Sequence, residues 1–256
     1  MEKYEISKKQ IGKGKYGEVY LSRIKSTKEI IALKIISKLH IKASQMEHQI
    51  DNEIKILKLI SHDNIIRYID TCENEVAICI VTNYIQGSNL YDILKKGKID
   101  ESIVSKYILQ LTKAVIYLHS LYIIHRDIKP ENIILSEDNQ IILCDFGWSV
   151  ISDSLETKYN DLCGTLDYLC PEIVKYKEYD YRCDIWNIGV LTYELLLGKA
   201  PFYGPTYRIT YSNISNLRYT IPENISENAR DFISKILVYE DSRISIDTML
   251  KHPFLS

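Results

Sequence analysis

The sequence predicts an α+β chain of two unlike lobes, a small β-rich lobe with one key helix over residues 1–82 and a large, mainly helical lobe over 83–256. Three observations predict it. The opening third is a series of short apolar, β-branched runs separated by polar turns. A single stripe of helical spacing interrupts that series. After Gly87 the apolar residues recur mainly at helical intervals. A cleft between two such lobes is a common place for a ligand.

Tyr4 to Ile11 reads as a strand. A glycine-rich turn follows, and then Glu18 to Ile24 and Ile30 to Ile36 read as two strands around a polar turn at Lys25–Lys28. Ser44 to Ile60 reads as a helix, because Ile50, Ile54, Leu57 and Ile60 share one stripe. The runs Ile65–Ile69 and Val76–Val81 suit two more strands, and Gln140–Cys144 is strand-like. Ile103 to Ser120, Ile185 to Leu197 and Ala229 to Val238 read as helices. No internal repeat or low-complexity linker divides the chain.

Composition excludes several classes. Hydrophobic residues make up 46% and charged residues 26%, a balance that argues against disorder. A net charge of −2 gives no general attraction for polyanions, so no direct nucleic-acid partner is expected. The six Cys form no CxxC pair and do not cluster with His, which reads as free thiols in a reducing compartment. No apolar run approaches the ~18 residues of a membrane span, and no basic-then-apolar leader opens the chain. A soluble intracellular protein without membrane contact is the expectation. The 20 Tyr residues read as β-propensity rather than chemistry.

Three segments carry candidate chemistry. Ile11-Gly12-Lys13-Gly14-Lys15-Tyr16-Gly17-Glu18-Val19 is a GxGxxG stretch between two strands. Such glycines let backbone N–H groups approach phosphate oxygens, though read alone they also make ordinary hairpin turns. A dinucleotide fingerprint needs a helix after the glycines, and no GxxxxGK[ST] loop is present. Lys34 then sits in the apolar strand Ile31-Ala32-Leu33-Lys34, and Glu53 sits on the following helix. A lone strand lysine is more often a solvated edge charge. Held by a glutamate, it becomes a fixed cation suited to α- and β-phosphates.

The third segment, His125-Arg126-Asp127-Ile128-Lys129-Pro130-Glu131-Asn132, follows a helix directly. Asp127 can orient an acceptor hydroxyl and take its proton. Lys129 can neutralise charge on a phosphoryl group in flight. Asn132 and the carboxylate of Asp145, in Asp145-Phe146-Gly147, offer hard oxygens to Mg²⁺. Asp127 and Asp145 also read as a structural pair of loop acids. The ordered set of glycines, lysine, helix glutamate, HRDxxxxN, DFG and a later Pro171-Glu172 outweighs that reading.

At these residues the chain resembles the eukaryotic protein kinases over nearly its whole length. Asp145 to Val150 (DFGWSV) and Leu162 to Leu169 (LCGTLDYL) narrow the likeness to the Aurora kinases, as do Gly12 to Leu21, His48-Gln49, Ala229-Arg230-Asp231 and His252-Pro253-Phe254. The resemblance implies a single kinase domain over 1–256 with the two-lobed kinase fold. It implies a Ser/Thr kinase of ATP and Mg²⁺ with Asp127 and Lys129 as catalytic residues. Ile11, Gly12, Gly14, Gly17, Val19, Ala32, Lys34, Glu53, Asn83, Ile85 and Ile134 would hold ATP, and Asn132 and Asp145 the metal. Asn83 to Ile85 would be the hinge beside the adenine, with Thr82 at the mouth of a back pocket. A role in chromosome segregation, at the spindle or kinetochore and in the nucleus, is implied too. So is an activating partner peptide of the inner centromere protein type, packing on the small lobe. The chain shows no N-terminal extension for localisation signals, so anchoring is expected to come from the domain or its partners.

Substrate preference follows from the same resemblance. Glu131 and Glu194 stand where basophilic kinases hold an arginine two residues before the acceptor, which implies Arg-x-Ser/Thr substrates. The activation segment departs from the family. Asp161 stands where the phosphorylated threonine is usual, and Asn52 and Tyr159 replace two phosphate-binding arginines. Asp161 is expected to pair with Arg126 and to order the segment that carries Thr165 without phosphorylation. Glu172 with Arg243 suits a buried ion pair, Asp184 an anchor for the catalytic loop, and Leu57, His125 and Phe146 a stack joining the lobes. Two other readings stay open: an active kinase of another basophilic branch, and a pseudokinase that serves as a binding module.

Overall fold

The computed structural model describes residues 2–14 and 17–256; Lys15 and Tyr16, at the tip of the glycine motif, lie outside the described residues. The small lobe is built on β1 (Tyr4–Lys13), β2 (Glu18–Ile24), β3 (Ile30–Ser37), the helices α1 (Lys38–Ser44) and α2 (Glu47–Leu59), and then β4 (Tyr68–Glu73) and β5 (Ala77–Asn83). The strands form one antiparallel sheet in the order β1-β2-β3-β5-β4. Strand alternation divides its side chains. Ile31 and Leu33 pack on one face with Tyr4, Cys79 and Val81, whereas Ile36 and Ile80 join the main core on the other. Lys34 therefore points with Ala32 and Ile36 toward the helix and the cleft.

The predicted helix from Ser44 is two helices. Gln45 adopts a left-handed backbone (φ 53°) and caps α1, and α2 starts only after Met46. The buried face of α2 is Ile50, Glu53, Ile56 and Leu57, with Ile54 only half-buried. Ile50, Glu53 and Leu57 share one face at the i, i+3, i+7 spacing, so the helix turns an acid inward. The strand expected at Ile65–Ile69 begins instead at Tyr68. Ile65 and Ile66 pair with Leu143 of the large lobe, where the Ile66 N–H donates to the Leu143 carbonyl at 3.0 Å. That apolar run serves the joint between the lobes rather than the sheet.

The large lobe continues through β6 (Gly87–Asn89), α3 (Leu90–Leu94), α4 (Glu101–Ser120), β7 (Ile123–Ile124), β8 (Ile133–Ser136), β9 (Ile141–Leu143) and β10 (Val150–Ile151). Then follow α5 (Pro171–Val174), α6 (Arg182–Leu197), α7 (Tyr207–Ser215), α8 (Glu227–Ile236) and α9 (Ile246–Leu250). Two small sheets, β6-β8-β9 and β10-β7, line its upper surface and present the loops between them to the cleft. Helix α6 is the axis of the lobe. Cys183 to Tyr193 are buried without a break, and Trp186 stacks on Phe202 with ring centroids 5.2 Å apart. A helix apolar on every side belongs in a core.

Arg243 stands beside α6 and braces the lower lobe. Its guanidinium donates to both carboxylate oxygens of Glu172, at 3.3 and 3.2 Å, and to the carbonyls of Arg182 and Val238 at 2.9 and 3.1 Å. Both partners are buried.

Candidate active site

The site grows from three elements that meet under the sheet. Strand β3 delivers Lys34, α2 delivers Glu53, and the loop after β9 delivers Asp145. Lys34 Nζ lies 2.6 Å from Glu53 Oε1 and 3.3 Å from Asp145 Oδ1. Burial works against the lysine's charge, but the Asp145 and Glu53 carboxylates outweigh it and hold its pKa above the ordinary value. In return, Lys34 holds Asp145 below the usual carboxylate range against the cost of its own burial. Lys34 is therefore held as a fixed cation beside the Asp145 anion at the cleft wall, while burial raises the Glu53 pKa against the pull of Lys34.

The loop between β7 and β8 carries the second group. It is fixed to the core of the large lobe by Asp184, the third residue of α6. The Asp184 carboxylate accepts from the backbone N–H groups of His125 and Arg126 at 2.9 and 2.8 Å, and lies 2.9 Å from His119 Nε2. His125 in turn packs edge-on against Phe146, with centroids 5.0 Å apart. Asp127 follows, 4% exposed, and its carboxylate is surrounded by donors. Thr165 Oγ1 donates to Oδ1 at 2.9 Å, Asn132 Nδ2 donates to Oδ2 at 3.0 Å, and Lys129 Nζ lies 2.8 Å from Oδ2. Lys129 also donates to Thr165 Oγ1 at 2.6 Å. The arrangement fixes a carboxylate with a cation at its side, which is what a positioned general base requires.

An interlobe cleft of about 670 Å³ is lined by Ile11, Gly12, Gly14, Val19, Ala32, Lys34, Glu53, Thr82, Asn83, Ile85, Glu131, Asn132, Ile134 and Asp145, among others. It thus brings together most residues that the sequence singles out. Gly17 is an exception, since it does not line the cleft. A Cβ there would lie 2.3 Å from the Ile35 carbonyl oxygen, and the Gly17 carbonyl accepts from the Gly14 N–H at 2.8 Å. It thereby holds Gly14, while Gly12 lies in β1 opposite Val19. Asn83 is a partial exception: its N–H donates to the Arg67 carbonyl at 3.0 Å and is not free for a ligand edge. Ser88, Asn89 and Asp92 line the cleft mouth, and no motif marks them.

The residues present fit a hard divalent cation. Asn132 spends its Nδ2 on the Asp127 carbonyl and carboxylate, and Asp145 spends Oδ1 on Lys34 and the Gly147 N–H. Among the described residues, Asn132 Oδ1 and Asp145 Oδ2 take no hydrogen bond, and both residues line the cleft. Two oxygens suit Mg²⁺, which keeps water and phosphate oxygens in its shell. Among the described residues, no group of three or more His, Cys, Asp or Glu is set to hold a metal.

Glu194 accepts from the Tyr168 hydroxyl at 2.5 Å. Burial raises its pKa, the Tyr168 hydrogen bond opposes that, and the charges of Glu131 and Asp167 raise it further. The three acids therefore share one field below the cleft. On the other side, Arg126 Nη1 lies 2.9 Å from both oxygens of Asp161, and its Nε donates to the Trp148 carbonyl at 2.7 Å. Asn52 donates to the Ser149 carbonyl at 2.7 Å, and Tyr159 lies under the Arg126 guanidinium at 5.3 Å.

The protein kinase domain family matches residues 5–255, so the chain belongs to that family. Its place there is among the Aurora kinases. It is 40% identical to Aurora kinase C of Mus musculus, over 98% of this chain and 91% of that protein. It is 41% identical to an Aurora kinase of Schizosaccharomyces pombe, over 98% of this chain and 71% of that protein. To Aurora kinase A-A of Xenopus laevis it is 38% identical over its whole length, and there it spans 62% of the longer relative.

Proposed function

We propose that the chain is a Ser/Thr protein kinase that transfers the γ-phosphoryl group of ATP to hydroxyls with an arginine two residues earlier. The observation that carries this reading is one cleft lined by the Lys34–Glu53 pair at 2.6 Å, Asp145 and Asn132, with the buried Asp127 carboxylate bonded to Asn132 behind them. Lys34 holds the α- and β-phosphates. Asp127 orients the acceptor hydroxyl and takes its proton as the oxygen attacks the γ-phosphorus, and the bond to the ADP oxygen breaks. Lys129 balances charge on the moving phosphoryl group. Asn132 and Asp145 would hold Mg²⁺, which when bound would neutralise charge on the phosphate oxygens.

Glu131 and Glu194 take the substrate arginine. A peptide with arginine two residues before its serine is expected to be phosphorylated with kcat/KM at least tenfold above its Arg-to-Ala twin, the scale of one charge-assisted bond. Equal values would remove the basophilic reading. The shift of Glu194 adds a pH signature. A raised carboxyl pKa means that the acid form returns sooner as pH falls. KM for the arginine peptide should therefore rise on acidification from neutral pH while that of the alanine twin stays flat; parallel curves would take Glu194 out of substrate binding.

The likeness to Aurora kinases supports a role in chromosome segregation at the spindle and in the nucleus, under an activating peptide of the inner centromere protein type. The exposed Leu39, Leu59 and Val76 on the small lobe support such a docked peptide. Among the described residues no helix is long and apolar enough to cross a membrane.

A further inference from the structure

The activation segment is gripped at three neighbouring positions. Lys158 Nζ lies 2.8 Å from Asp180 and 2.7 Å from Glu240. Tyr159 and Tyr179 form an isolated antiparallel bridge in which each N–H donates to the other's carbonyl, at 2.8 and 2.9 Å. Asp161 then meets Arg126 on one side and Tyr179 on the other. The Tyr179 hydroxyl donates to Asp161 Oδ1 at 2.8 Å and accepts from Arg126 Nη1 at 3.0 Å. With its single proton committed to Asp161, its oxygen also accepts from the Cys163 thiol, 3.1 Å away.

Magnitudes decide which of these contacts matters. The Asp161 side chain is 48% exposed and that of Arg126 8%, so solvent screens the ion pair from one side and it does not fix the segment by itself. Tyr179 is 1% exposed and its ring is fixed among Tyr159, Cys163 and Arg126, so its O–H points in one direction only. The charge count agrees. A phosphothreonine carries nearly two charges and three acceptor oxygens and calls for several cations. Asp161 carries one charge, which Arg126 balances, and the phenol fills a further lone pair without adding charge.

We infer that Tyr179 is a positioning residue that, through Asp161 and Arg126, holds the activation segment in its working conformation without phosphorylation. The inference rests on the kinase reading above and extends it to regulation. Arg126 immediately precedes Asp127, so order in the segment and order at the base are one chain of contacts.

The test compares wild type, Tyr179→Phe, Asp161→Asn and the double variant, each shown by mass spectrometry to be unphosphorylated. Two rates are read: trypsin cleavage after Lys158, and kcat on an arginine-containing serine peptide with KM for ATP alongside. Tyr179→Phe is expected to cleave about tenfold faster and to lose about tenfold in kcat, the size of one hydrogen bond to a charged group. KM for ATP should stay within about twofold. The double variant should match the single ones, because the two groups act as one unit. Cleavage of Tyr179→Phe at the wild-type rate would overturn the inference, as would faster cleavage with unchanged kcat, or single-variant losses that multiply in the double. Asp161→Asn supplies the same comparison should Tyr179→Phe not fold. The cleavage arm needs no activity. A wild type that transfers nothing even with an activating peptide added, beside a Tyr179→Phe loop that opens, would sink the kinase reading and leave the clamp standing.

Discussion

Asp127→Asn is expected to lower kcat by roughly 10²–10⁴-fold, the usual contribution of a positioned base, while nucleotide affinity stays nearly unchanged. The two effects separate because of where the donors lie. Asp127 takes hydrogen bonds from Thr165, Asn132 and Lys129, and among the described residues no hydrogen bond or ion pair joins it to Lys34 or Glu53. The phosphate-holding pair is therefore left intact. Asparagine keeps the shape and one acceptor oxygen, so the loop should fold, but its amide cannot accept the substrate's proton. Pre-steady-state transfer and binding of a fluorescent nucleotide would read the two quantities apart. A variant with wild-type kcat would remove Asp127 from the chemistry.

Arg243→Met should cost ~3–5 kcal/mol, since it strands a buried carboxylate. Glu172 is 7% exposed, and the guanidinium also covers the carbonyls of Arg182 and Val238, which lose their donor. For a chain of this size the melting temperature should fall by roughly 10 °C. The exposed Lys235–Asp231 pair makes the contrast: its side chains are 51% and 44% exposed, and breaking it should cost ~1 kcal/mol or less. Thermal melts of the two variants would rank them. A fall of only ~2 °C for Arg243→Met would show that solvent reaches Glu172. Replacing Glu172 by Gln together with Arg243→Met should recover part of the loss, because no buried charge then remains.

Much of this architecture is legible from local pattern. Glu18–Ile24 is a strand with the predicted ends, and the long helices lie within a few residues of the apolar repeats that mark them. What pattern could not reach was set by tertiary contact. Gln45 breaks a helix although glutamine is a good helix former, and the break is a left-handed cap without a glycine to announce it. Ile65 and Ile66 read as part of a strand of the small lobe, yet their partner Leu143 lies far along the chain. The cleft residues were readable because phosphate chemistry needs particular residue types at particular spacings. Gly17 was readable as part of that motif, but its place under Ile35 is a packing constraint. Tyr179 was invisible for the opposite reason: one tyrosine among 20 carries no spacing signal, and only the fold brings it to Asp161.

Asp184 has a consequence for how the molecule opens. By holding the backbone of His125 and Arg126 from the most buried helix of the large lobe, it makes a loop share the fate of a core. Local unfolding normally begins in loops. Here the amides beside the base can exchange with solvent only when α6 itself comes apart, so they report on global unfolding. The opposite half of the site is held differently: Lys34 reaches Asp145 across the gap between the lobes through side-chain atoms. Breathing of the two lobes can therefore make and break the phosphate grip many times while the base stays in register, and the two halves of one active site live on different clocks.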